Sequence, residues 1–376
     1  MLRRLTVENF KSLEKTCVEF SPVTVLVGRS GTGKTNFVTA LRFLRDYLYF
    51  GQGVLQRFGG DWHRLLPATR PKSQMAFEVV FDVKGIEAPF EYRAVLHETG
   101  PGGVSEESLK LGDELLFRQV NGKWQSEPQL VSVPQPGQLA IGRIPAISEI
   151  VIAYTALTTG IGWHYFPATV LAVNQGGTQA ISGLQDDAGN YLQTLKEIAS
   201  NLQDLNVRKN IIATLQRLNP TITAVELNSI QSPSEVVVGH QFNDKILSLS
   251  LAQESDGFRR FYAHLLALYQ LPPKQTLVFE EPENGVFPGA LALLADEFKS
   301  APEAGRGQVI LTTHSPNLLD HFDADDIRVV EIDGFQTRIG NVSQEQKEAI
   351  QEGLLESGEL LTVDHARMEA PESTNA

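Results

Sequence analysis

The chain has 376 residues, a formal net charge of −13, and 42% hydrophobic and 20% charged residues, which suits a globular protein of one large domain or two moderate ones. That charge excludes a uniformly basic nucleic-acid coat, and a single cysteine, Cys17, excludes an internal disulfide framework and suits a reducing cytoplasm. The opening "MLRRLTVENF" has basic residues with no continuous apolar stretch behind them, so it is not read as a signal peptide.

In chain order, "MLRRLTVENFKSL" and "KTCVEFSPVTVLVG" predict two strands that lead into a glycine-rich loop. Val23 to Val27 is the short β-branched run of a buried parallel strand. It enters "GRSGTGKT", Gly28 to Thr35, which meets the pattern G-x-x-x-x-G-K-[ST] at every fixed position. Behind it, "TNFVTALRFLRDYLYF" sets Phe37, Leu41, Leu44 and Leu48 at helical spacing. Strand, loop and helix in that order make a phosphate cradle, because curled backbone N–H groups and the helix N-terminus converge on an anion. The predicted set for binding ATP or GTP is Gly28, Arg29, Ser30, Gly31, Thr32, Gly33, Lys34, Thr35 and Asn36. Lys34 reaches the β- and γ-phosphates, and the Thr35 hydroxyl is a Mg²⁺ ligand. No guanine-reading NKxD motif is present.

Next come the strand patterns "MAFEVVFDV", "FEYRAVLHE" and "ESLKLGDELLFRQVNGKW", with Asn121-Gly122 as a hairpin turn, so an antiparallel β section is expected. Ile150 to Gln185 contains no Asp, Glu, Lys or Arg, yet Thr155, Thr158, Thr159, Gly160, Gly162, His164 and Pro167 interrupt it. Buried strands and loops are expected there rather than a membrane span. Helical period follows in "GNYLQTLKEIASNLQDLNVRKNIIATLQRLNP", with Leu192, Leu195, Ile198 and Leu202 on one face and Pro220 as the stop. "ITAVELNSI", "EVVVGHQF" and "KILSLSLA" return to strands, and "SDGFRRFYAHLLALYQ" is a helix closed by Pro272 and Pro273. "TLVFEEPENG", the helix "ALALLADEFKSA" and "QVILTTHSP" form a βαβ unit. "SQEQKEAIQEGLLESGELL" is expected to be one helix, followed by a polar frayed tail.

The chemistry beyond the loop lies at strand ends. Glu280 and Glu281 follow the buried run Thr276 to Phe279, at the C-terminal edge where open α/β sheets bind ligands. Glu280 is expected to hold Mg²⁺ and Glu281 to polarise the attacking water. His314 ends the next strand and is placed as a γ-phosphate sensor. In "SDGFRR", Ser255 caps a helix and Asp256 suits its first turn. That N-terminus also suits a phosphate held by another subunit.

At these residues the sequence resembles the ABC-type ATPase heads of the RecF/SMC/OLD group, and within it the compact bacterial AAA family ATPases of the AAA_21 kind. The pieces are "VENFKSL", "GRSGTGKTN", "DDAGNYLQTLKEI", "ESDGFRRF", "VFEEPENGVFP" and "LTTHSPNLLD", in the family's order along nearly the whole chain. The resemblance implies an α/β P-loop fold with a parallel core sheet, an antiparallel β section and a helical signature lobe. It makes Lys34 and Thr35 the Walker A lysine and metal ligand, Glu280 the Walker B acid, Glu281 the catalytic glutamate and His314 the switch histidine. Ser255 and Gly257 match the signature that contacts ATP on the opposite protomer, and Glu283 and Asn284 match the D-loop. Four parts are expected: 1–150 as ATPase lobe I, 151–275 as the signature lobe, 276–345 as the Walker B and switch-histidine part of the core sheet, and 346–376 as a C-terminal helix and flexible tail. The family implies a head-to-tail homodimer that closes on two ATP molecules, with Mg²⁺ as cofactor.

Departures stand at Glu280, where Asp is commoner, at Phe287 in place of a histidine, and at Ser30 in place of Asn. No Q-loop glutamine stands out, Gln74 and Gln138 being the candidates. No long coiled-coil insertion and no C-terminal nuclease-like acidic cluster are read, so a nuclease effector is expected as a separate polypeptide. The favoured expectation is a cytoplasmic ATP-hydrolysing switch, with no membrane contact, that controls a nucleic-acid effector of the antiphage type. A RecF-like DNA clamp and a non-hydrolysing ATP-sensing scaffold are the alternatives. Arg3, Arg4, Lys11, Lys15, Arg208 and Lys209 are available for a local DNA track.

Overall fold

A computed structural model describes residues 1–71, 73–97, 103–126, 139–143, 148–172, 183–200, 205–228 and 235–369. Its chain divides into two units, Met1–Ile161 with Asp323–Ala376, and Gly162–Phe322. In the first, β1 (Leu2–Phe10) and β2 (Leu13–Glu19) bury alternate residues and pair antiparallel, Thr6 opposite Cys17. β3 (Val23–Val27) is buried at every position and feeds the loop and then α1 (Lys34–Phe50). β4 (Met75–Phe81), β5 (Phe90–Leu96), β6 (Val104–Leu111), β7 (Glu114–Val120) and β8 (Lys123–Ser126) extend a seven-stranded antiparallel sheet of order β2-β1-β4-β5-β6-β7-β8. Asn121 (φ 49°) and Gly122 (φ 74°) make the expected turn between β7 and β8.

The helix and the sheet share an aromatic core. The Phe43 ring of α1 lies 5.4 Å from Phe10 of β1 and 5.9 Å from Phe77 of β4. A buried carboxylate pins a neighbouring segment. Glu107 accepts the backbone N–H groups of Ala140 (2.6 Å) and Ile141 (3.0 Å), along with Gln119 and the Tyr92 hydroxyl. Burial pushes its carboxyl pKa up, and these hydrogen bonds oppose the shift.

The uncharged stretch was expected to hold strands and loops, but α2 (Ser148–Leu157) starts just before it and runs into it. Ile150, Ala153, Ala156 and Leu157 are buried at helical spacing while Val151 and Thr155 face outward, so the exposed face is nearly as apolar as the buried one. β9 (Ile161–His164) follows at the boundary of the units.

The second unit combines helices with a three-stranded antiparallel sheet and a parallel strand pair. The long helical pattern gives α3 (Tyr191–Ser200) and α4 (Leu205–Leu218), ending before Pro220. β10 (Ile222–Asn228), β11 (Glu235–Phe242) and β12 (Lys245–Ser250) form an antiparallel sheet. α5 (Asp256–Tyr269) buries Phe261, Leu265, Leu266 and Leu268 at 0–1% exposure, each worth about 1.5–3 kcal/mol of apolar transfer. β13 (Thr276–Glu280) and β14 (Gln308–Thr312) pair parallel, Val278 opposite Ile310, joined through α6 (Leu291–Glu303) as the sequence predicts. α7 (Pro316–Leu319) comes next.

Within α5, His264 is buried against Phe166, Phe279 and Phe298, and its Nδ1 donates to the Arg260 carbonyl at 2.7 Å. Burial lowers its pKa to about 3. The unfolded chain takes up this proton near pH 6.5 and the folded chain does not, so this stability is present above pH 6.5 and is lost as pH falls toward 3. Between pH 7 and pH 5 the expected loss is about 2 kcal/mol. Denaturant unfolding of wild type and His264→Phe at both values checks it, and an unchanged pH dependence in the variant would refute the assignment.

The chain then returns to the first unit. β15 (Ile327–Asp333) pairs parallel with β3, Val329 opposite Val27, and β16 (Gln336–Asn341) pairs antiparallel with β15. The C-terminal pattern is not one helix: α8 (Gln344–Gln351) stops, because Gly353 takes φ 71° and Leu354 N–H turns back to the Ala349 carbonyl. Nor is the segment after it frayed as far as residue 369. Ser343 N–H bonds Arg367 O and Glu369 N–H bonds Asn341 O, each within 2.9 Å. Among the described residues no helix is long and apolar enough to cross a membrane.

Candidate nucleotide site

In the first unit, β3 delivers the chain to Gly28 and α1 begins after Gly33. The N-cap Gly33 has no side chain to offer and the first turn of α1 holds no acidic residue. Its leading N–H groups are therefore available to an anion, with the helix dipole behind them. Lys34, 5% exposed, folds over the loop and donates from Nζ to the carbonyls of Gly28 (2.7 Å) and Arg29 (3.1 Å). An ammonium and a set of backbone donors on one concave turn fit a polyphosphate. Thr35 is exposed at the second helical position, whereas the Asn36 amide donates to Ser12 Oγ at 2.8 Å.

In the second unit, the parallel register sets Glu280 opposite Thr312 at the C-terminal end of both strands. Glu281 takes a left-handed φ of 46°, rare for a residue with a side chain and the sort of strain found at functional sites. Its N–H is held by the Thr312 carbonyl at 3.1 Å. Its carboxylate accepts the Asn284 amide at 2.7 Å and comes within 3.7 Å of His314 Nε2. Glu283 fixes the other side of this turn, taking the His314 N–H and the Thr313 hydroxyl at 2.8 Å each.

Ser255 caps α5 as expected, accepting Phe258 N–H at 3.2 Å. A Cβ on Gly257 would lie 3.1 Å from the Gly285 carbonyl, so the start of α5 and the turn after Glu281 are in close approach. Arg260 bonds the Asn284 carbonyl across that approach. Ser255, Gly257, Glu281, Asn284 and His314 are thus gathered within one unit, while Gly28 to Asn36 lie in the other.

Among the described residues no group of three or more His, Cys, Asp or Glu is placed to hold a metal. Mg²⁺ bound with a nucleotide commonly takes one or two protein oxygens and completes its shell from phosphates and water, which the hydroxyl of Thr35 and the carboxylate of Glu280 fit by donor type. Of the Q-loop candidates, Gln74 donates to Ser105 Oγ at 3.0 Å, and Gln138 lies outside the described residues.

Two family models match, "AAA ATPase domain" over residues 1–98 and "AAA domain, putative AbiEii toxin, Type IV TA system" over residues 174–320. The Old nuclease of Escherichia phage P2 is 24% identical over 350 residues, 85% of this chain. The DNA replication and repair protein RecF of Porphyromonas gingivalis is 30% identical over 149 residues, 32% of this chain. A solved SMC head bound to the C-winged helix domain of ScpA aligns with a TM-score of 0.60 at 16% identity, covering 92% of this chain and 99% of that one. By these matches the chain is similar to the RecF/SMC/OLD group of ABC-type ATPases. The chain spans 57% of the Old nuclease and 39% of RecF.

Sequence reasoning missed three contributors to these sites. Ser12 and Thr337 contact the phosphate loop, and Thr313 shares Glu283 with His314. Ser12 lies inside the quoted "VENFKSL", so its neighbourhood was visible in sequence. Nothing in the sequence around Thr337 marks it.

Proposed function

We propose that this RecF/SMC/OLD-like chain is an ATP-hydrolysing dimeric switch. The observation that carries the reading is the Glu281 carboxylate held by Asn284 within 3.7 Å of His314 Nε2 at the end of a βαβ unit. In this reading Gly28 to Asn36 take the phosphates, with Lys34 leaving its loop carbonyls for the β- and γ-phosphate oxygens. By donor type, the Thr35 hydroxyl and the Glu280 carboxylate would be the groups to hold Mg²⁺, which would offset the phosphate charge. Glu281 polarises a water for attack on the γ-phosphorus, the bond to the β-phosphate oxygen breaks, and ADP and phosphate leave. His314 reports the γ-phosphate. Ser255 and Gly257 of one protomer engage ATP on the other, and Phe287, 70% exposed beside Gly257, supplies apolar surface to that contact. Loss of the γ-phosphate contact reopens the dimer, so chemistry becomes movement.

The output of the switch is control of a nucleic-acid-acting effector, a reading supported by similarity to the Old nuclease. Purification of Glu281→Gln with ATP from the native host, against Lys34→Ala, tests it. A nuclease enriched only with the stalled variant supports the effector reading, and a stalled protein that stays monomeric and solitary overturns it.

The 30% identity to RecF over 149 residues favours a second reading, an ATP-dependent DNA clamp. It requires salt-sensitive DNA affinity that appears only with ATP. Arg3 and Arg4 are ion-paired with Asp82 and Glu78, and Lys11, Lys15, Arg208 and Lys209 are the other basic residues this reading would draw on.

A further inference from the structure

Behind the phosphate loop runs a chain of four polar groups drawn from four elements. The Asn36 amide at the start of α1 donates to Ser12 Oγ at 2.8 Å. Ser12, in the turn between β1 and β2, lies 2.7 Å from Thr337 Oγ1 of β16. Thr337 Oγ1 lies 2.7 Å from the Thr32 carbonyl of the loop itself. A hydroxyl has one proton, and a carbonyl can only accept, so the Thr337 proton goes to Thr32 and Ser12 must be the donor to Thr337. The direction is fixed: Asn36 to Ser12 to Thr337 to Thr32. Each donor in such a row strengthens the next.

The backbone of Thr337 is fixed as well. Its N–H bonds the Ser12 carbonyl at 2.8 Å and its carbonyl accepts the Thr16 hydroxyl at 3.1 Å. The residue is 2% exposed, and its hydroxyl fills the space that a Cβ on Gly33 would need, 2.0 Å away. The hydrogen-bond row therefore clamps the loop just before its N–H groups turn into α1.

We propose that Thr337 is a positioning residue for nucleotide binding, holding the Thr32–Asn36 segment in its phosphate-binding shape through Ser12 and its own hydroxyl. Thr337 touches no nucleotide in this account and acts through the loop. The inference rests on the reading that Gly28 to Asn36 bind ATP.

Thr337→Val keeps the shape and removes the hydroxyl, leaving the Thr32 carbonyl and the Ser12 proton without their partner. Titration of the full chain with Mg-ATP is expected to give a Kd about tenfold weaker than wild type, and Thr337→Ser should restore it to within about twofold. Ser12→Ala should weaken binding in the same direction, and the Ser12→Ala/Thr337→Val pair should lose clearly less than the product of the two single losses. Melting of each variant without nucleotide separates a loop effect from unfolding. A Thr337→Val protein that binds ATP as wild type does, or a Thr337→Ser protein as weak as the valine variant, overturns the proposal. A wild-type chain that binds no ATP would instead overturn the nucleotide reading beneath it.

Discussion

Glu281→Gln is expected to lower ATP turnover by about 10²–10⁴-fold while Kd for ATP stays within a few-fold of wild type. Gln keeps one carbonyl oxygen to accept the Asn284 amide, which now meets Glu281 Oε2 at 2.7 Å. It also keeps the side-chain volume, and it tolerates φ 46° as well as Glu does. What it loses is a group that can take a proton from water. Steady-state phosphate release and equilibrium ATP binding separate the two effects, and size exclusion with ATP should show the variant gathered in the closed dimer. Lys34→Ala is the contrasting control, expected to lose nucleotide binding itself. Turnover in Glu281→Gln equal to wild type would remove Glu281 from the chemistry.

Gly33→Ala is expected to weaken ATP binding at least about 100-fold. Gly33 sits at φ 105°, a backbone shape that side chains rarely adopt, and strain of that kind costs about 1–3 kcal/mol. A methyl there would also lie 2.0 Å from Thr337 Oγ1 and 3.0 Å from Ser12 Oγ, an overlap relieved only by moving the loop. Gly31→Ala serves as the internal comparison. Its φ of 81° imposes backbone strain, but nothing lies within 4 Å of the new methyl, so its loss should be clearly smaller. Isothermal titration of both variants decides the matter. Equal losses would mean that contact with Thr337 is irrelevant to the loop.

Those two glycines illustrate how much could be read from the chain alone. The strand, loop and helix were legible because they are written in consecutive residues, from the β-branched run of β3 through Lys34 to the apolar face of α1. The pair Glu281 and His314 was legible for a related reason: both end strands of one βαβ unit, and parallel pairing sets such ends side by side. Thr337 was not. Serine and threonine are common everywhere, and the contact that gives this one meaning reaches a residue 305 positions away. Glu283 shows the same limit, because its bonds to Thr313 and His314 depend on a turn shaped by the left-handed Glu281. α2 was hidden because its apolar residues lie on both faces and give little helical contrast, and the C-terminal pattern ran on through Gly353 because a single glycine is a weak stop signal.

The clamp on Thr32 also orders events in time. A ribosome adding about 5–20 residues per second reaches Thr337 roughly 15–60 s after Thr32, since 305 positions separate them. Through that interval the nascent phosphate loop exists without its brace. Thr337 comes after β13, β14 and their acidic turn in the chain, so the brace on Thr32 is completed only once those elements have been synthesised.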